Sequence, residues 1–226
     1  ASHVTLEALT IKGTSKDVSA AVSISDGSSY TTIRNCYLEL PTPTTDYGND
    51  GGDVIYTHSS TEAGTPTINH TCVEGCTVVG GKIGIRLSGG QGNVNYPTGV
   101  GAVVRGNTVV SGRSKAIYVT DVTDFSIEGN SVLADAPSNK YDYQGFDGRR
   151  LFGPGRISNN RFALSNGSIS LQGICLRNDW LEGAASAPIV VVNNLITIVN
   201  AGRGGSYGIS LGDKNGTGKH IIVAHN

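Results

Sequence analysis

One short string of residues returns eight times in this chain, and that recurrence restricts the fold more than any other feature. The copies are "LEALTI" from Leu6, "IRNCYL" from Ile33, "VEGCTV" from Val73 and "VRGNTV" from Val104, then "IEGNSV" from Ile127, "ISNNRF" from Ile157, "VVNNLI" from Val191 and a truncated "VAHN" from Val223. Their starting points lie 23 to 40 residues apart. Each reads as an aliphatic residue, two variable residues often ending in Asn or Gly, an Asn or Cys, one variable residue and then another aliphatic or aromatic one. Self-similarity at such a period marks a repeat architecture.

A second series interleaves with the first: "AVSI" from Ala21, "DVIY" from Asp53, "GIRL" from Gly84, "AIYV" from Ala116, "GICL" from Gly173 and "GISL" from Gly208. Alternation of period two makes each a short strand with one face in and one face out. Helices have little to build on, because the chain has 32 Gly and many β-branched residues but few Lys, Glu or Leu. A charged fraction of only 15% speaks against a disordered chain. Several short strands per repeat with no helix between them predict an all-β solenoid, a right-handed parallel β-helix of about eight coils. Each coil needs neighbours above and below to bury its face.

The shared Asn is expected at a sharp bend, where a residue tolerant of left-handed geometry is favoured. Turned inward, its amide would bond backbone groups and stack on the Asn of the next coil. Asn107, Asn130, Asn160, Asn194 and Asn226 would form that ladder. Cys36 and Cys76 occupy the same slot, as buried thiols. Stacked strands lie about 4.8 Å apart, so a Cys36–Cys76 disulfide is sterically open alongside two free thiols. The four Cys match no zinc spacing.

The 226 residues suit one domain, residues 1–226. A net charge of −1 gives no general attraction to nucleic acid or to an anionic membrane. No apolar run reaches the length of a membrane span, and no signal peptide is present. The chain starts inside a strand and stops at a ladder Asn without capping helices. The expectation is an excerpt of a longer protein; capping by a partner and self-association through uncapped ends are the alternatives.

The "GIxL … IxxNxI" rhythm and the Asn ladder resemble the right-handed parallel β-helix proteins of the pectin-lyase-like superfamily, over essentially the whole chain. The resemblance implies that the "GIxL" sheet, with its flanking loops, is the surface where extended sugar chains are held. It does not select an activity, since polysaccharide lyases, glycoside hydrolases, epimerases, phage tailspikes and adhesins share this fold. The Asn-Thr-Asp, Asp-Asp, Gly-His-Gly and Arg-Ile-Lys set of the polygalacturonases is absent, as is the Trp-x-Asp-His motif of classical pectate lyases.

Alternation along the "GIxL" strands predicts an outward row of Ser23, Ile55, Arg86, Tyr118, Arg150, Cys175 and Ser210. Arg177 stands in the next outward row, and Arg149 points inward. Arg86, Tyr118, Arg150 and Arg177 would then line one face. Guanidinium forks suit carboxylates and sulfates, so the row fits an acidic polysaccharide. Asp179 and Asp213 fall on neighbouring coils at a separation suited to paired carboxylates in glycoside hydrolysis. Asp is also an ordinary turn former. Arg150 or Arg177 with Tyr118 would supply the charge neutralisation and base of a β-elimination. Asp46, Asn49, Asp50 and Asp53 offer oxygen ligands for Ca²⁺ among glycines, at a spacing unlike any EF-hand. Tyr96, Tyr141, Tyr143 and Trp180 are loop aromatics that would stack on sugars.

The function expected from these features is an extracellular or cell-surface polysaccharide-binding protein, with lyase or hydrolase activity on an acidic glycan left open. The alternative is a non-catalytic fibre, tailspike shaft or autotransporter-type passenger.

Overall fold

The computed structural model describes residues 2–15, 19–25, 27–42, 52–57, 68–90, 99–110, 113–135, 142–165, 170–177, 187–199, 202, 204–212 and 220–226, with the side chain of Asp135 excepted. Among them every regular element is a strand, and every pairing between strands is parallel. No helix of the described residues is long and apolar enough to cross a membrane. The fold is a parallel β-helix.

Three strands recur in each coil. The first repeat series forms one stack, in which Leu6, Ile33, Val73, Val104, Ile127, Ile157, Val191 and Val223 sit one above another. From Ile33 to Val191 that column is wholly buried. After a bend the chain enters a seven-stranded sheet running from Thr10–Lys12 to Leu195–Val199. The "GIxL" strands form the third wall. Two strands, Lys115–Glu128 and Tyr143–Ser158, run through the corner between the third wall and the first, so those two walls join as a single sheet. Large exposed apolar side chains gather on the first and last coils, Leu9 at one end and Leu195, Leu211 and Ile222 at the other.

The bend explains the ladder, with one correction. The left-handed residue is the one before the ladder position: Ala8, Asn35, Gly75, Gly106, Gly129, Asn159, Asn193 and His225 all have positive φ. This residue turns the chain, and the ladder residue that follows points inward. Asn130 donates from Nδ2 to Val104 O at 2.9 Å and to Asn160 Oδ1 at 2.9 Å. The same pair of bonds recurs at Asn107, Asn160 and Asn194.

Cys36 and Cys76 are free thiols, not a disulfide. Cys76 Sγ lies 3.6 Å from Ile33 O, and Cys36 Sγ lies 3.7 Å from Leu6 O. These are the carbonyls a ladder amide would reach. In place of the cross-link, each thiol stands in for the Asn as a weak donor.

A second corner carries another stack. His3, Tyr30 and His70, all with positive φ, lie ring on ring at 4.7 Å spacing. A Cβ at Gly101 in the next coil would come within 2.5 Å of the His70 ring, so that position has room only for glycine.

Candidate binding face

The outer face of the "GIxL" wall collects most of the charge that the sequence singles out, though in a different register. The observed outward row is Ser23, Tyr56, Arg86, Tyr118, Asp147, Cys175 and Ser210. Ile55 therefore faces the core and is fully buried, and Tyr56 takes the outward place. Asp147, not Arg150, follows Tyr118. The rhythm continues as "GFDG" (Gly145 to Gly148), so the strand starts at Tyr143 where a loop was expected.

Gly145, two residues into that strand, is glycine for a steric reason. A Cβ there would lie 2.5 Å from Phe162 of the opposite sheet and 2.7 Å from Gly173 O. Gly173 repeats the arrangement one coil on, against Ile196. At Gly84, Gly145 and Gly173 the glycine is a packing requirement of the core, whereas a Cβ at Gly208 would meet no atom of the described residues within 4 Å.

Asp147 is the electrostatic centre of the face. Its side chain is fully buried, yet three cations reach it. Lys115 Nζ donates to Oδ2 at 2.6 Å, Arg149 Nη2 to Oδ2 at 3.2 Å, and Arg177 Nη2 to Oδ2 at 3.1 Å with its Nε on Oδ1 at 3.2 Å. Burial alone would push the carboxyl up, but Lys115, Arg177 and Arg149 outweigh it and hold the group below the ordinary carboxylate range. Burial would likewise lower Arg177, and its bond to Asp147 more than reverses that, so the guanidinium stays charged. Arg149, expected to point inward, turns outward onto Asp147 instead.

Tyr118 lies beside this centre with Lys115, Arg86 and Arg149 at 5.1, 5.6 and 5.4 Å from its ring. Such contacts are cation–π interactions. Arg86 pairs with Asp53 at 2.8 Å. Asp53 is buried, and desolvation, partly offset by Arg86 and Lys82, raises its pKa. Its carboxylate thus faces a guanidinium, and a hard cation would have to displace that partner. The other proposed Ca²⁺ ligands, Asp46, Asn49 and Asp50, lie outside the described residues. Among the described residues no group of three or more His, Cys, Asp or Glu is placed to hold a metal.

Arg150 leaves the row for a corner, with φ of 43°, and forks onto Asp121, whose φ is 57°. Nε meets Oδ1, Nη2 meets Oδ2 at 2.8 Å, and Nη2 also meets Thr120 Oγ1 at 3.1 Å. Two adjacent coils thus each keep a non-glycine residue in the left-handed region here, as other bends of the coil do. Arg86, Tyr118, Asp121 and Arg150 border a cleft of about 180 Å³.

The face brings together four expected residues, Arg86, Tyr118, Arg150 and Arg177. It adds Lys115, Asp147, Arg149, Tyr56 and Asp53 as their partners. The spacing of "GFDG" was the available signal for Asp147; nothing in the pattern marked Lys115. Tyr143 is not part of the face. Its ring is buried in the core, where a sugar on the outer surface has no access. Asp179, Trp180, Asp213, Tyr96 and Tyr141 lie outside the described residues. Cys175 sits in the outward row beside Asp147 but is buried, and desolvation raises its pKa.

No protein-family model matches this chain. No curated protein matches it either. Among solved structures, it is similar to the Streptococcus pneumoniae surface protein and adhesin PfbA, with a TM-score of 0.49 and 12% identity. The match covers 94% of this chain and 66% of the other, just under two thirds of that protein's length. A likeness of that depth says nothing about ligand or role.

Proposed function

We propose that this chain is a non-catalytic β-helix module, displayed outside the cell, that binds an acidic polysaccharide along the outer face of the "GIxL" wall. The observation that carries this reading is a charge imbalance built into a rigid sheet. Arg86, Lys115, Arg149, Arg150 and Arg177 share the face with the carboxylates of Asp53, Asp121 and Asp147. Cations outnumber these anions, and guanidiniums suit carboxylate or sulfate groups.

Catalysis is less well supported by these groups. Asp147 stays ionised and bonded to three cations, which suits neither a general acid nor a nucleophile. Arg177 is held protonated, which disfavours it as the base of a β-elimination. A hydrolytic mechanism would rest on Asp179 and Asp213, which lie outside the described residues.

The test is binding of the purified protein to immobilised acidic and neutral polysaccharides at low and high salt. Release of unsaturated uronate and of reducing ends is followed in the same samples. Salt-sensitive retention on acidic glycans without products is the expected result. Products would replace this reading with an enzyme, and equal retention on neutral glycans would remove the charged face from it.

A further inference from the structure

The Asp147 cluster does more than hold the strip together. Two of its cations, Arg149 and Arg177, each turn two of their N–H groups to Asp147. A guanidinium has five such donors in a planar fork, and the two side chains remain 29% and 32% exposed. Three positive charges gather on one buried carboxylate, and Asp142 adds one more negative charge at Arg177. One positive charge is left over, on groups that Asp147 fixes in place.

A second observation comes from the same wall. Gln172 is only 8% exposed, and among the described residues no donor reaches its Oε1. Its neighbour one coil back, Gln144, has an Oε1 that accepts from Lys115 Nζ at 3.3 Å. A buried acceptor left without a donor is unfavourable, and such a group calls for an explanation. Gln172 lies three positions before the Asp147 row, which crosses its strand at Cys175, about 10 Å along a strand.

We infer that Arg149 and Arg177, templated by Asp147 together with Lys115, form an oxyanion subsite for the sulfate or carboxylate of an extended acidic glycan, and that Gln172 Oε1 accepts a hydroxyl from the same glycan. The inference rests on the binding reading above and deepens it. One small ion reaches only the first part; an extended chain reaches both.

Thermal unfolding in sodium sulfate and in sodium chloride at equal ionic strength tests the oxyanion part. Saturable stabilisation by sulfate, lost in the Arg149→Gln/Arg177→Gln double variant, is expected. Sulfate that acts no differently from chloride on the wild-type protein overturns the subsite. Gln172→Leu tests the acceptor. It should raise the midpoint in plain buffer, leave the sulfate response intact and weaken acidic polysaccharide binding about tenfold. A Gln172→Leu protein that is less stable and binds the polysaccharide unchanged overturns that assignment. Sulfated and uronate polymers run in parallel show which oxyanion is taken. If sulfate binds at Arg149 and Arg177 while every polysaccharide fails, the subsite stands and the polysaccharide reading falls.

Discussion

Asn130 Oδ1 accepts two hydrogen bonds from one residue, the backbone N–H and the side-chain Nδ2–H of Asn107, each at 3.0 Å. One amide thus satisfies the bend of the preceding coil, while its own Nδ2 reaches Val104 O and the next ladder residue. Asn130→Ala would strand both donors of Asn107 and the Val104 carbonyl in a dry interior. The expected loss is about 3 kcal/mol, read from the midpoint of chemical unfolding. A loss under about 0.5 kcal/mol would show the ladder to be passive filling.

Cys76 offers the converse experiment. Its backbone already donates the way a ladder residue's does, with its N–H on Asn107 Oδ1 at 2.9 Å. Cys76→Asn would carry the amide ladder one coil further, toward Ile33 O. The variant is expected within about 1 kcal/mol of the parent, on the stable side if the slot is as wide as at Asn107. Burial pushes the Cys76 thiol up to about 11. Alkylation at neutral pH should therefore label Cys76 only on unfolding; rapid labelling of the folded protein would contradict the burial.

Asp147 gives the pH dependence a definite sign. Its folded-state pKa lies below the unfolded value of about 3.9. Its ionised form therefore stabilises the fold at any pH above that unfolded value, and the contribution is lost as pH falls through the folded pKa. Asp147→Asn should cost about 3 kcal/mol at neutral pH, since three cations lose their shared partner. The difference from the wild type should close in acid, where the parent is protonated too. Unfolding curves across acidic pH check this; a constant difference would mean packing, not charge.

Two glycines are expected to fail for different reasons. Gly145→Ala drives a Cβ to 2.5 Å from Phe162, a clash inside the core. Gly106→Ala meets no atom of the described residues within 4 Å but must hold φ near +62°. Overpacking should take about 2 kcal/mol in the first case, and the left-handed backbone about 1 kcal/mol in the second. Gly106→Asn should recover part of the second loss, while Gly145→Asn recovers none. Equal behaviour of the two Asn variants would defeat the distinction.

The architecture was legible because a solenoid writes each structural need many times over. Eight copies of one segment fixed the strands, the inward Asn column and the Cys substitutes. The face was only half legible, because alternation places a side chain correctly only when the strand is counted from the right residue. At "DVIY" the count was off by one, so Ile55 was expected outside and Tyr56 overlooked. At "GFDG" a Phe and two glycines disguised the repeat, and the count moved on to Arg150. The left-handed residue was assigned to the ladder Asn because Asn tolerates that geometry, when Gly75, Gly106 and Gly129 stood directly in front of the ladder slot. Lys115 was invisible to pattern, since its role comes from Asp147, one coil away and 32 residues distant in sequence.

The continuous register from coil to coil has a consequence for how this surface changes over time. Neighbouring strands meet through backbone hydrogen bonds that are indifferent to the side chains above them. The outward row from Ser23 to Ser210 is therefore a line of characters set at a fixed pitch of about 4.8 Å, and its exposed members are open to replacement without disturbing the type beneath. A new specificity can be composed one rung at a time, and rungs added or removed would lengthen or shorten the message without rewriting it.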